Sequence, residues 1–200
     1  LPSLPPSPCL SVTQPSFHRI PGLPLVTARA IVRLDLGLFL IVFWADMVGT
    51  VAVGRVSLEA ERLIRVSEES FWVGIEKALP GGQLHEISAA IQGHVEAAGY
   101  SVVRQFVGHG IGRNMHEDPQ VPNFGVAGTG QELKAGMTLA IEPMVNAGSH
   151  EVYIKPDGWT VMTADGRLSA YYEHTIAITA EGPRVLTLGA GEAARLSIAG

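Results

Sequence analysis

Two helical patterns lie next to each other in the middle of the sequence, and strand patterns flank them on both sides. Apolar or small residues recur every three or four positions in each pattern. The first set is Ala60, Ile64, Ser67, Phe71, Ile75 and Ala78, and the second is Leu84, Ile87, Ile91, Val95 and Ala98. This spacing predicts two amphipathic helices, the first capped by Ser57 and the second ended by Gly99.

The strand patterns define the rest of the expected fold. Residues 29–45 and 47–54 come before the helices, and further candidates follow them at residues 101–107, 137–142, 151–155, 159–163, 171–179 and 184–188. This order favours the α+β class, a layered fold with both helices grouped on one face of a sheet. We expect one domain over residues 29–190, an irregular proline-rich entry segment over residues 1–28, and a tail over residues 191–200.

Composition excludes several classes of protein. Hydrophobic residues make up 46% of the chain and charged residues 16%, which is enough apolar material for a core. The net charge is −5, and no basic stripe predicts nucleic-acid binding. The single cysteine, Cys9, has no partner for an internal disulfide. The longest apolar run, residues 36–45, is too short to cross a bilayer, and the N-terminus does not resemble a signal peptide.

Several acidic residues occur within or at the ends of apolar strand patterns. Glu142 follows residues 139–141, and Glu173 lies inside residues 171–179. A buried acid needs a partner, because removing it from water unpaired is costly. With Asp35, Asp46 and His109, these residues form a candidate ligand set for divalent metals such as Mn, Fe, Co or Zn. Each one alone is more often a turn, cap or structural residue, so the prediction depends on the set.

Three motifs resemble those of one known family. Residues 108–119, GHGIGRNMHEDP, resemble the signature of type I methionine aminopeptidases. Residues 141–144, IEPM, resemble their second motif, and residues 172–175, YEHT, their third. The motifs occur in the family's order and at similar spacings, and the resemblance covers roughly residues 46–188.

The resemblance implies a fold and a function. The fold is the pita-bread arrangement, in which a curved antiparallel sheet is covered by helices and built from two pseudo-symmetric halves. The function is removal of the initiator methionine from nascent proteins and peptides, by attack of a hydroxide held between two divalent ions on the first peptide bond. Members of the family are cytoplasmic and usually monomeric, and the ribosome is a further candidate partner. No membrane association is implied.

The resemblance also assigns roles to individual residues. The metal ligands are Asp35, Asp46, His109, Glu142 and Glu173. Asp46 and Glu173 match the bridging carboxylates, Asp35 serves one ion, and His109 and Glu142 serve the other. Glu142 is also the expected general base. His116 and His18 match histidines that contact the substrate. Cys9, Phe106 and Trp159 are candidates for lining the apolar methionine pocket.

The first 45 residues depart from the family. We expect this chain to lack the helical segment that precedes the first strand in relatives, and Arg19 stands where glycine is expected after the histidine. Ile41 and Val42 occupy the turn of the hairpin that joins Asp35 to Asp46. Because β-branched residues fit poorly where a tight turn needs positive φ, we expect a distorted hairpin and a weakened metal site.

Two other functions remain open at this stage. One is an Xaa-Pro aminopeptidase or dipeptidase of the same fold, which would use similar ligands on another substrate. The other is a catalytically impaired relative that binds peptides or ribosomes.

Overall fold

The computed structural model of the chain describes the backbone of residues 9–12 and all of residues 29–189. The helices are α1 (Leu58–Ile75) and α2 (Leu84–Ala97). The strands are β1 (Cys9–Val12), β2 (Ala30–Leu40), β3 (Phe43–Val53), β4 (Ser101–Val102), β5 (Gly108–Gly110), β6 (Glu117–Val121), β7 (Thr138–Ile141), β8 (Met144–Asn146), β9 (Val152–Ile154), β10 (Val161–Thr163), β11 (Ser169–Tyr171), β12 (Glu173–Thr179) and β13 (Gly182–Val185).

Both predicted helices are confirmed. The hydroxyl of Ser57 accepts a hydrogen bond from the Ala60 amide at 3.2 Å, so the residue caps α1 as its sequence position predicts. Helix α2 ends just before Gly99, and its buried residues include Ile87, Ile91 and Val95 from the predicted stripe. The two stripes pack together because each is too apolar to face water.

The main sheet has eight strands, in the order β1-β2-β3-β12-β7-β5-β6 with β13 beside β12, and its pairings are antiparallel. Leu139 and Ile176 are opposite each other on β7 and β12, and both are fully buried. They join Phe71 of α1 and Ile87 of α2 in one apolar core. Both helices therefore cover the same face of the sheet, as the α+β prediction requires.

The hairpin of β2 and β3 is regular, so the expected distortion is wrong. Its register is unbroken from Ala30 opposite Val53 to Leu40 opposite Phe43. In the turn of Ile41 and Val42, the backbone strain is confined to one residue. Ile41 has a φ of 60°, whereas Val42 keeps a negative φ. The predicted strand over residues 29–45 is also wrong in extent, because the apolar run contains this turn.

Two smaller sheets complete the described part of the chain. One has the order β11-β8-β4, and the other pairs β9 with β10. A second apolar cluster joins residues of both small sheets, Met144, Val152, Val161 and Tyr171, to Val48 of β3 and to Val103. Strands β1, β5, β6 and β8 lie outside the predicted strand segments, and the candidate at residues 101–107 is reduced to β4. Neither α1 nor α2 is long and apolar enough to cross a membrane.

Candidate metal centre

The strand register places the five predicted metal ligands on the sheet face opposite the helices. Residues paired across strands share a face, and the face alternates along each strand. Val48 is opposite both Asp35 and Glu173, and Asp46 lies two residues from Val48 on the same strand. His109 and Thr175 are both opposite Ala140. Glu142 comes two residues after Ala140, just past the end of β7, and completes the set.

Three of these residues converge closely. Potential ligand atoms of Asp46, His109 and Glu173 all lie within 4.8 Å of one another. The three residues are only 6%, 8% and 2% exposed, respectively. Among the described residues, Asp46 Oδ1 and Glu173 Oε1 are buried without a hydrogen-bond partner. Buried carboxylate oxygens with no donor nearby fit a divalent cation, which supplies the positive charge that they lack.

His109 is oriented for ligation by its own backbone. Its Nδ1 lies 2.8 Å from the carbonyl oxygen of Gly110, which assigns the ring hydrogen to Nδ1 and leaves the lone pair on Nε2. Nε2 points towards the acids and is 3.6 Å from Glu142 Oε1. Burial lowers the pKa of His109, so the imidazole stays neutral, as a metal ligand must be.

The glycines beside His109 are required by neighbouring strands. A Cβ at Gly108 would lie 2.4 Å from the carbonyl oxygen of Ala140 on β7, and one at Gly110 would lie 2.2 Å from that of Asp118 on β6. The two glycines therefore let three strands meet around the histidine.

Two threonines tie the hairpin to the strands that carry the acids. β3 and β12 share a ladder of only two residue pairs. At one end, Thr175 Oγ1 accepts from the Asp46 amide at 2.8 Å and donates to the Asp46 carbonyl oxygen at 3.0 Å. At the other end, Thr50 Oγ1 makes the same pair of bonds with the backbone of Tyr171, at 2.9 and 2.8 Å. These side-chain bridges extend the short ladder and fix the position of Asp46 along the strand relative to Glu173.

A tyrosine hydroxyl lies between two of the acids. The Tyr171 hydroxyl oxygen is 2.5 Å from Glu142 Oε2 and 2.9 Å from Glu173 Oε2. A phenol carries a single hydrogen, so two full hydrogen bonds require a second hydrogen from one of the carboxyl groups. Burial, opposed by this hydrogen bond and reinforced by the neighbouring acids, holds the pKa of Glu142 well above its usual value. Burial raises the pKa of Glu173 likewise.

The hairpin acids show the same electrostatic effect. Burial raises the pKa of Asp35 to about 6. Burial and the nearby Asp35 raise the pKa of Asp46 to about 7. Burial and like charges both disfavour ionised carboxylates, and a bound cation would reverse this preference. Asp35, although outside the closest group, is therefore electrostatically part of the site.

The model of metallopeptidase family M24 matches residues 2–180 of this chain. The chain belongs to this family. A methionine aminopeptidase of Clostridium perfringens is 56% identical over 184 residues, which are 92% of this chain and 74% of the relative. Methionine aminopeptidase 1 of Bacillus subtilis is 47% identical, over 90% of this chain and 72% of the relative. Within family M24, the chain groups with the methionine aminopeptidases.

The solved structures agree with the grouping within family M24. A methionine aminopeptidase from Rickettsia prowazekii superposes with a TM-score of 0.88 at 41% identity, covering 90% of this chain and 73% of the other. The prolidase of Pyrococcus furiosus is 22% identical with a TM-score of 0.67, and that likeness concerns the fold alone. The predicted pita-bread fold is thus confirmed.

A recess opens beside the candidate metal centre. Its volume is about 470 Å³, and His109, His116 and Glu117 are among its lining residues. The rings of His109 and His116 have centroids 4.3 Å apart. His116 is exposed, so the predicted substrate-contacting histidine stands at the mouth of the site, next to a predicted metal ligand.

The other predicted substrate-binding residues are more dispersed. Phe106 is partly buried and packs against the second apolar cluster. Trp159 is partly buried in a turn, where Asp157 Oδ1 accepts a hydrogen bond from its amide at 2.9 Å. Neither lines the recess beside His116. The backbone of Cys9 is in register with Asp35. His18 and Arg19 lie outside the described residues.

The sequence prediction missed the residues that hold the acids in place. Tyr171 contacts two of them, Thr50 and Thr175 bridge the strands, and Asn123 Nδ2 donates to the Glu142 carbonyl oxygen at 2.9 Å. Tyr171 and Thr175 each lie two positions from Glu173, and strand alternation could have indicated that they share its face. Nothing local in the sequence identifies Thr50 or Asn123.

Proposed function

We propose that this chain removes the N-terminal methionine from peptides and nascent proteins by metal-dependent hydrolysis of the first peptide bond. The observation that carries the proposal is the convergence of Asp46, His109 and Glu173 within 4.8 Å, on the open face of a fold shared with methionine aminopeptidases. The high identity to those enzymes supports the same substrate.

Two divalent ions, Mn, Co, Fe or Zn, are the proposed cofactors. Asp46 and Glu173 would bridge them, Asp35 would bind one, and His109 and Glu142 would bind the other. The four carboxylates supply more negative charge than one divalent ion neutralises, which supports a pair of ions. When bound, the ions would supply a hydroxide nucleophile at neutral pH and polarise the scissile carbonyl.

The chain's own residues have complementary roles in this proposal. Glu142 accepts the proton of the attacking water as the general base, from a position beside His109, whose Nε2 is 3.6 Å from Glu142 Oε1. His116, exposed at the mouth of the recess, donates a hydrogen bond to the peptide being cleaved. His18 contacts the substrate from the entry segment, and Cys9, Phe106 and Trp159 supply the apolar surface for the methionine side chain.

We propose a cellular setting that follows from this activity. The substrates are the first residues of nascent chains, so we place the enzyme in the cytoplasm, with the ribosome as a further candidate partner. The monomeric state is proposed from the resemblance to the family alone. Residues 29–190 form the proposed catalytic domain.

The direct test is release of free methionine from the peptide Met-Ala-Ser with added Mn or Co, beside a sample treated with EDTA. We expect metal-dependent release by the wild-type chain. Release should be lost in His109→Ala and Glu142→Ala, because each removes a proposed ligand. His94→Ala is the matched control, since this histidine pairs with Glu69 on the helical side. Unchanged turnover in the two ligand variants would contradict the proposal.

The same assay separates the alternatives. Cleavage of Ala-Pro with no cleavage of Met-Ala-Ser would indicate an Xaa-Pro peptidase. Metal binding by a folded chain without turnover on either substrate would indicate the impaired relative.

A further inference from the structure

We infer that Tyr171 is a positioning residue of the proposed metal centre. Its hydroxyl holds one oxygen each of Glu142 and Glu173, so that the other oxygen of each carboxylate faces the metal ions. The inference rests on the proposed function, because it concerns how that function's ligands are aimed.

The two carboxylates are held in matching ways. In both, Oε2 is the atom in contact with the Tyr171 hydroxyl. The opposite oxygens face the remaining ligands. Glu142 Oε1 is 3.6 Å from the Nε2 of His109, and Glu173 Oε1 is buried with no hydrogen-bond partner among the described residues. One hydroxyl thus divides each carboxylate into a held oxygen and a ligating oxygen.

Tyr171 is itself held in place through both its backbone and its ring. Its backbone amide and carbonyl are both bonded to Thr50 Oγ1, which anchors the residue to β3. Its ring packs in the second apolar cluster with Val48 and Met144, and the residue is only 3% exposed. A phenol has two side-chain torsions, so these contacts leave the hydroxyl little freedom to follow a moving carboxylate.

The chemistry of the donor suits this role. A lysine or arginine at this position would neutralise a carboxylate and weaken the attraction for a cation. A phenol adds no positive charge, so it does not offset the negative charge that attracts the ions. When ion binding displaces the shared carboxyl proton, the single phenol hydrogen is left for the two Oε2 atoms. Loss of a residue that hydrogen-bonds to a metal ligand commonly lowers the metal affinity by about 10- to 100-fold.

Tyr171→Phe tests the inference, with Tyr172→Phe as the matched control. Both changes remove one buried hydroxyl from neighbouring residues. The Tyr172 hydroxyl is bonded to His174 Nε2 at 3.0 Å, on the helical side of the sheet. Calorimetric titration of the metal-free protein with Co²⁺ gives the affinity, and the Co²⁺ visible absorption spectrum reports the coordination. Kinetics on Met-Ala-Ser give kcat and KM separately.

We expect Tyr171→Phe to weaken Co²⁺ binding by about 10- to 100-fold. We also expect it to change the Co²⁺ spectrum and to lower kcat, with KM for the peptide nearly unchanged because the tyrosine does not touch the substrate. Tyr172→Phe should retain wild-type affinity and spectrum. Wild-type Co²⁺ affinity in Tyr171→Phe would overturn the inference, as would an equal loss in both variants.

Failure of the inference is distinguishable from failure of the proposed function. A wild-type chain that binds metal and releases methionine, beside an unaffected Tyr171→Phe variant, refutes only the role of Tyr171. A wild-type chain that binds no metal refutes both.

Discussion

The proposed metal centre is assembled from two regions with opposite surroundings. His109 lies on β5, Glu142 lies just past the end of β7, and Glu173 lies on β12. On the other face of β7 and β12, Leu139 and Ile176 pack with residues of both helices in the main apolar core. Asp35 and Asp46 come from the β2–β3 hairpin, which extends into solvent. At its tip, Leu40 is 64% exposed and Ile41 is 84% exposed.

Ligands of one site therefore need not share one source of rigidity. The core strands hold their ligands because moving them would disrupt buried packing. The hairpin holds Asp46 through its register with β2 and through the Thr175 bridge to β12. Its tip contributes little burial, so the tip and the ligand-bearing base should respond differently to substitution.

The largest predicted effect compares one ligand from each region. Glu173→Gln removes the negative charge of a proposed bridging ligand that is only 2% exposed. We expect kcat/KM to fall at least ~1000-fold, which corresponds to several kcal/mol of lost transition-state stabilisation. Asp35→Asn replaces a half-buried carboxylate outside the closest ligand group by a neutral amide, and we expect a smaller loss of kcat/KM. Kinetics on Met-Ala-Ser measure both. An Asp35 variant as impaired as the Glu173 variant would show that the hairpin is as critical as the core.

The second prediction compares the stability contributed by the two regions. Leu139→Ala leaves a cavity in the main core and should lower the free energy of unfolding by about 2–5 kcal/mol. Leu40→Ala, at the exposed tip, should change it by less than about 0.5 kcal/mol. Urea denaturation of both variants, each in the presence of EDTA, provides the measurement. A large loss in Leu40→Ala would mean that the tip is covered in solution.

The same division explains what the sequence could predict. The helices were predictable because their buried face repeats every three or four residues and Ser57 marks the start. Glu142 and Glu173 stood out as acids in apolar strands. The hairpin was harder to predict, because the apolar run of residues 36–45 has the composition of a buried strand. Residues 36–43 of this run instead form an exposed tip with a turn inside it.

Residues that act only through tertiary contacts could not be predicted. Thr50 and Tyr171 are far apart in sequence, and only the β3–β12 register makes them neighbours. Threonine and tyrosine are also ordinary strand residues, so neither is conspicuous in a strand pattern. The motifs thus predicted the metal ligands, but they did not predict the residues that hold those ligands in position.

The third prediction concerns pH and metal together. In the metal-free protein, Asp35 and Asp46 have pKa values of about 6 and about 7, above those of unfolded carboxyl groups. The folded state therefore holds these protons more tightly, and its stability should fall as pH rises from about 4 to 7. Bound metal ions offset the negative charge of the carboxylates and so remove the repulsion between them. We expect the gain in Tm from Mn²⁺ over EDTA to be small at pH 5 and large at pH 7.5.

Asp35→Asn tests this explanation, because it removes one of the hairpin charges. The stability of the metal-free variant should therefore fall less steeply as pH rises. The core acids, Glu142 and Glu173, would still contribute the remainder. Metal-free stability that rises between pH 5 and pH 7 would contradict the predicted repulsion.

The smallest predicted effect lies at the turn of the hairpin. Ile41 has a φ of 60°, a conformation that costs a β-branched residue about 1–3 kcal/mol. A turn with positive φ at its first central residue prefers glycine there, so Ile41→Gly should raise the free energy of unfolding by about 1 kcal/mol. Val42→Gly is the control, because Val42 keeps a negative φ, and we expect no gain from it. Since the turn lies beyond the paired base that carries Asp35 and Asp46, Ile41→Gly should leave Co²⁺ affinity unchanged. A change in affinity would show that strain at the tip is transmitted to the metal ligands, and would remove the distinction between the tip and the base.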